Sequence, residues 1–133
     1  MTSSDPRSKE SPPPVAIGHV TLRVADVEVA ADFYSALGLR PIVNRAELAI
    51  LELRGGTHLL LFKAKRKPKP GPIRSFDLMV DDITSTRASL EEAGVQVTPI
   101  KEDHLSGHQM FEMTDPDGHT ITILSSHTGG RRV

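Results

Sequence analysis

Apolar and polar residues alternate from Ile17 to Val24, and again from Ile73 to Val80. In the first stretch Val20, Leu22 and Val24 share one parity, against His19, Thr21 and Arg23. In the second, Phe76, Leu78 and Val80 stand against Ser75, Asp77 and Met79. Side chains of a strand alternate between faces, so each stretch predicts a strand with one buried side. A shift of 56 residues lays one stretch on the other, and the agreement continues without a gap. Asp26 meets Asp82, each a candidate N-cap whose carboxylate can accept orphan amides of a first helical turn. Val27, Ala30, Tyr34 and Leu37 are spaced 3, 4 and 3, as are Ile83, Thr86, Leu90 and Ala93, which makes one stripe of a helix. Gly38 meets Gly94, each suited to the left-handed position that ends a helix.

Strand-like text returns after each helix. The first half continues through 39–43 and 47–53, a Gly55-Gly56 turn, and 57–63; the second through 95–100 and 108–114, an Asp115-Pro116-Asp117-Gly118 turn, and 119–125. Proline second and glycine last suit a type I turn. Each half therefore reads β-α-β-β-β: residues 15–64 form one module and 73–126 the other, joined by a stiff, charged linker at 65–72. A single module has one apolar sheet face under one helix, and pairing with the other completes one shared core. Val20, Leu22, Val24, Leu59, Leu61, Phe76, Leu78, Val80, Ile121 and Ile123 are the expected core.

Length supports this division, since 133 residues suit one domain or two half-size units sharing a core. Residues 1–14, polar and closing on three prolines, cannot bury enough surface to fold and carry no apolar stretch of a secretory signal; 127–133 read as a flexible tail. No apolar run approaches the length of a membrane span. The net charge of −1 and five aromatic residues argue against nucleic acid. With no cysteine, disulfides, thiolate metal sites and a cysteine nucleophile are excluded, and a cytoplasmic location is the default. Lys63, Lys65, Arg66, Lys67 and Lys69 place five positive charges in seven residues, read as a solvated linker.

Four segments carry a resemblance: Gly18-His-Val-Thr-Leu-Arg-Val-Ala-Asp26, Asp32-Phe-Tyr-Ser-Ala-Leu-Gly38, Gly55-Gly-Thr-His-Leu-Leu-Leu-Phe62 and Asp115-Pro-Asp-Gly-His119. Together they make the chain, over about residues 15–126, similar to the vicinal oxygen chelate superfamily, which groups glyoxalase I, extradiol dioxygenases, fosfomycin-resistance and bleomycin-binding proteins. The resemblance implies an α+β fold in which the paired, curled mixed sheets of two βαβββ modules form an open cup, with helices on the outer face. It also implies a homodimer, with modules paired within one chain or exchanged between two. In metal-dependent members four cup-facing positions hold a divalent ion; here they fall on His19, Leu60, Ser75 and Thr122. Leucine offers no lone pair and neutral hydroxyls are weak donors, so a divalent cofactor is disfavoured, with His19 the one competent ligand.

Parity from those positions gives the cup lining: His19, Thr21 and Arg23; His58, Leu60 and Phe62; Ser75, Asp77 and Met79; Met110, Glu112 and Thr114; Thr120, Thr122 and Leu124. Apolar surface with a few polar anchors is the makeup of a small-molecule site. Arg23 corresponds to an arginine that in glyoxalase I helps to hold an anionic group; the alternative is an ion pair with Asp77 or Glu112. His19, His58 and Glu112 could form a relocated metal triad. Asp77 or Glu112 could serve as a general base. His104, His108, His119 and His127 are expected to be solvated. The leading expectation is a small-molecule-binding protein of the glyoxalase/bleomycin resistance type, its ligand anionic if Arg23 anchors it. The alternative is a glyoxalase-like lyase or isomerase using a displaced or weak metal site.

Overall fold

The structure, a computed structural model, describes residues 13–105 and 107–126. The expected tail at 127–133 and all of the N-terminal segment except Pro13 and Pro14 lie outside the described residues. Strand β1 (His19–Val24) leads into helix α1 (Val27–Leu37), then β2 (Arg40–Asn44), β3 (Leu48–Glu52) and β4 (His58–Lys63). The second half runs β5 (Gly71–Pro72), β6 (Leu78–Val80), α2 (Ile83–Glu92), β7 (Lys101–Glu102), β8 (Gln109–Thr114) and β9 (His119–Ser125). The first sheet has the order β1-β4-β3-β2, with β1 parallel to β4; the second has β5-β9-β8-β7, with β6 also on β9. Two mixed sheets, of four and five strands, thus make the expected α+β fold.

The helices start and stop where the side chains dictate. Asp26 Oδ1 accepts from the Val29 amide and Asp82 Oδ1 from the Ser85 amide, each at 3.0 Å. Gly38 (φ 133°) and Gly94 (φ 85°) leave the helices in conformations that a Cβ would resist. On α1, Val27, Ala30, Ala31 and Tyr34 are buried, whereas on α2 only Ile83 and Leu90 are. Helix α1 rests on β2, β3 and β4, and α2 on β8 and β9.

The core follows the predicted parity. Leu22, Val24, Leu59, Leu61, Leu78, Ile121 and Ile123 are buried, joined by Ala49, Leu51, Phe111 and Met113. Val20, Phe76 and Val80 are only partly buried and lie on its rim. The expected continuous strand from Ile73 to Val80 is corrected: only its end, β6, pairs with β9, the preceding β5 pairs there as well, and residues 73–77 leave the ladder between them. The segment at 95–100 is likewise irregular, with a lone bridge from Val97 to Met113.

Reciprocal contacts tie the halves together. The 3₁₀ turn at Arg54–Gly56 reaches the second half, where Arg54 donates to both carboxylate oxygens of Asp81, at 3.1 and 2.8 Å. The β8–β9 turn reaches the first half, where Asp117 Oδ1 accepts from the Ala25 amide at 3.2 Å. Ala25 and Asp81 are equivalent under the 56-residue repeat, so each module's last turn grips the other's strand-to-helix link.

Candidate functional site

The β1/β4 ladder sets the first-module candidates in pairs on one face: His19 beside His58, Thr21 beside Leu60 and Arg23 beside Phe62. This face is open; His19, Thr21 and Arg23 are exposed, and His58, Leu60 and Phe62 half-buried. The His19 and His58 rings meet edge-on with centroids 6.2 Å apart. The Arg23 guanidinium carbon lies 5.7 Å from the centre of the Phe62 ring, within cation–π range. The ion pair expected as Arg23's alternative, with Asp77 or Glu112, does not form.

A groove of about 1230 Å³ runs between the modules. Of the predicted residues it gathers His19, Ser75, Asp77 and Met79; its floor is apolar, from Leu37, Leu39, Leu53 and Phe76. Three arginines line it, at 40, 54 and 74. Arg54 is held by Asp81, and Arg40 Nε stands 3.4 Å from Glu52, whereas no ion pair forms at Arg74 among the described residues. A smaller cavity of about 480 Å³ lies beyond the 73–77 segment and brings Asp77 together with Glu112 and Thr122. Arg74, Phe76 and Asp77 belong to both walls. Arg74 was not among the sequence candidates, because the parity argument treated 73–80 as one flat strand. Thr21, Arg23, His58, Leu60, Phe62 and Met110 line neither cavity and sit instead on the open sheet faces.

His119 departs from expectation: it is buried, with 6% exposure, inside the Asp115–Gly118 turn region. Asp115, also buried, explains why. Its Oδ1 accepts from the amides of Asp117 and His119, both at 2.9 Å, and its Oδ2 accepts from Tyr34 Oη at 2.7 Å. The fourth donor is His119 Nδ1, 3.0 Å from Oδ2. Burial, and then the adjacent Asp115 charge, push the Tyr34 phenol far above its ordinary value, so it stays protonated and donating. His108 is half-buried, with its Nδ1 2.5 Å from the Ser125 carbonyl oxygen, and is not the freely solvated group expected; His104 is exposed. His127 lies outside the described residues.

Two metal arrangements can be tested on these residues. At the positions implied by the resemblance, Leu60 cannot ligate, and Ser75 sits in the segment that leaves the ladder; a divalent ion does not fit that set. The relocated triad of His19, His58 and Glu112 does not assemble. Among the described residues, the one group of three whose ligating atoms converge within 4.8 Å is Asp115, Asp117 and His119. There both Asp115 oxygens are already engaged by four donors, and a cation would have to break buried hydrogen bonds. We read it as a clasp.

The profile of the Glyoxalase/Bleomycin resistance protein/Dioxygenase superfamily matches residues 16–123. The chain belongs to that superfamily. Solved structures agree on the fold of this superfamily member. A lactoylglutathione lyase from Agrobacterium tumefaciens is 22% identical, over 89% of this chain and 98% of its own, with a TM-score of 0.69. The oxidase ChaP-H2 is 21% identical over 88% and 99%, with a TM-score of 0.70. A bleomycin resistance determinant encoded on transposon Tn5 is 20% identical over 85% and 99%, with a TM-score of 0.66. Those three carry a lyase, an oxidase and a resistance determinant on one scaffold, so the fold leaves the activity of this member to its site. Among the described residues no helix is long and apolar enough to cross a membrane.

Proposed function

We propose that this superfamily member binds a small anionic organic molecule in the groove between its modules, without the divalent ion of its metal-dependent relatives. The observation that carries the reading is the residue set at the metal positions: His19 alone can ligate, while the adjoining groove has an apolar floor and, in Arg74, a guanidinium with no ion pair among the described residues. A carboxylate-bearing ligand would lay its apolar part on Leu37, Leu39 and Phe76 and turn its anion towards Arg74, with His19 and Ser75 as further polar anchors. Charge-assisted hydrogen bonds to a guanidinium are the strongest such contacts, and burial of the apolar part adds to them. We place this activity in the cytoplasm and in a homodimer. Ile42 on β2 is 54% exposed and lines neither cavity, which is apolar surface a second copy would cover.

Thermal-shift titration with small carboxylates, with and without chelator, tests the reading. A stabilising ligand whose shift survives chelation and whose affinity falls about tenfold in Arg74→Ala supports it. A shift that requires a divalent ion overturns it. Light scattering at the monomer mass would overturn the dimer.

One observation favours a second reading, a glyoxalase-like lyase or isomerase. The smaller cavity joins Asp77 and Glu112, the two candidate bases, beside one another. Turnover that is lost in Glu112→Gln while ligand binding persists would establish it.

A further inference from the structure

Residues 73–77 are where the second module departs from the first. Along β1 and β4 the ladder is unbroken, pairing His19 with His58, Thr21 with Leu60 and Leu22 with Leu61. Leu78 pairs with Ile123, so the repeat equates Leu61 with Ile123 and assigns Ser75 to Thr120 and Asp77 to Thr122. The structure instead pairs Pro72 with Thr120, and five residues, 73–77, stand opposite only Ile121 and Thr122. The chain has entered the sheet three residues early.

Both registers use the same edge of β9. In the observed one the Gly71 amide donates to the Gly118 carbonyl at 3.1 Å and the Ile73 amide to the Thr120 carbonyl at 2.8 Å. A slip of three residues offers the amides of Arg74 and Phe76 to those same two acceptors, so no ladder bond is lost. The slip gives Phe76 the parity of Leu78, which faces the core, in exchange for the core packing of Ile73 and the contact of Pro70 on Gly118. The polar side chains of the segment do not hold the early entry in place. Arg74, Ser75 and Asp77 are exposed and make no side-chain hydrogen bond or ion pair among the described residues. Gly71, at φ 140°, has open space around it.

We propose that residues 73–77 are a register-shifting strap. In the observed register the strap arches away from β9 and walls the 480 Å³ cavity over Glu112 and Thr122. In the slipped register it lies flat, sets Asp77 against Thr122 and erases that cavity. A ligand filling the cavity holds the arched register, and its affinity is reduced by the fraction of molecules that have slipped. The same segment carries Arg74, Ser75 and Phe76 of the groove, so the shift would also remodel the proposed ligand site, but the register itself can be read without any ligand.

A cysteine-free chain makes the test direct. Ser75→Cys/Thr120→Cys reports the slipped register, because in the observed ladder Thr120 stands opposite Pro72 instead. Asp77 cannot serve, since it adjoins the paired Leu78 and lines one cavity with Thr122 in the observed register. Thr21→Cys/Leu60→Cys, a paired position of the first module, and Pro72→Cys/Thr120→Cys serve as in-register standards. Disulfides need Cα atoms within about 7 Å, which an offset of three residues along a strand, roughly 10 Å, exceeds. With folding checked by circular dichroism, the slip pair is expected to close under oxidised glutathione at about 0.1–10% of the standards' rate, the range of a minor conformer. A slip pair that remains reduced, below that floor, while the standards close, overturns the proposal.

Discussion

Replacing Tyr34 by Phe removes one oxygen and leaves the ring in place, which makes it a clean probe of the clasp between modules. Tyr34 is fully buried and its hydroxyl has one acceptor, Asp115 Oδ2, at 2.7 Å. A hydrogen bond to a charged group contributes about 1.5–3 kcal/mol, and the Asp115 carboxylate keeps its other three donors, so the loss should fall in that range. For a domain of this size that corresponds to a fall in Tm of roughly 5–15 °C. The pH dependence is more diagnostic. The phenol is held protonated in the folded state, above the ordinary value of 10.0 that applies once the chain unfolds. A group raised on folding contributes fully below its unfolded pKa and loses that contribution as pH rises beyond it. The advantage of the wild type over Tyr34→Phe should be constant up to pH about 9.5 and then shrink by about 1.4 kcal/mol per unit. Lysines titrate in the same region, but they are common to both proteins and cancel in the difference. Tyr34 is the sole tyrosine, so tyrosinate absorbance follows it alone, and urea denaturation at stepped pH gives the stabilities. A wild-type–variant gap that stays flat from pH 9 to 11, or tyrosinate forming near pH 10 in folded protein, would refute the buried bond.

Asp115→Ala should be worse than Tyr34→Phe, by about 3–5 kcal/mol, because it strands the phenol and the His119 ring in the core; urea midpoints compare the two. Arg54→Ala breaks a bidentate but exposed pair and should cost under about 1 kcal/mol, a difference that vanishes at high salt. Gly118→Ala meets both a φ of 83° and a Cβ 3.0 Å from Pro70 Cβ, so it should destabilise by about 1–3 kcal/mol in thermal melts.

Much of the fold was legible because alternation is a strict code when one face is buried. Leu22, Val24, Leu59, Leu61, Ile121 and Ile123 could not move by one residue without turning outwards. The caps at Asp26 and Asp82 were legible for a similar reason, as side-chain chemistry within one turn of chain. The break at 73–77 was not legible, since Ile73 to Val80 alternates as well as β1 does. The competitor is Gly71-Pro72, which lacks side-chain periodicity and reaches β9 first. The clasp was missed because a histidine in a polar turn reads as solvated, and the hydroxyl that helps to bury it lies 81 residues from Asp115 in the chain. One signal did exist: the single tyrosine falls on the apolar stripe of α1, where a buried hydroxyl must find an acceptor. As for the candidate site, parity put His19, Thr21 and Arg23 on the exposed face of β1 but could not find Arg74, whose position depends on backbone that has left the sheet.

The phenol belongs to one half of the chain and the carboxylate to the other, and within its own half the phenol would be a polar atom shut away from water with no one to answer it. Loss of the carboxylate strands the phenol, whereas loss of the phenol leaves the carboxylate three donors, so the two halves are tied to one another unequally at this point.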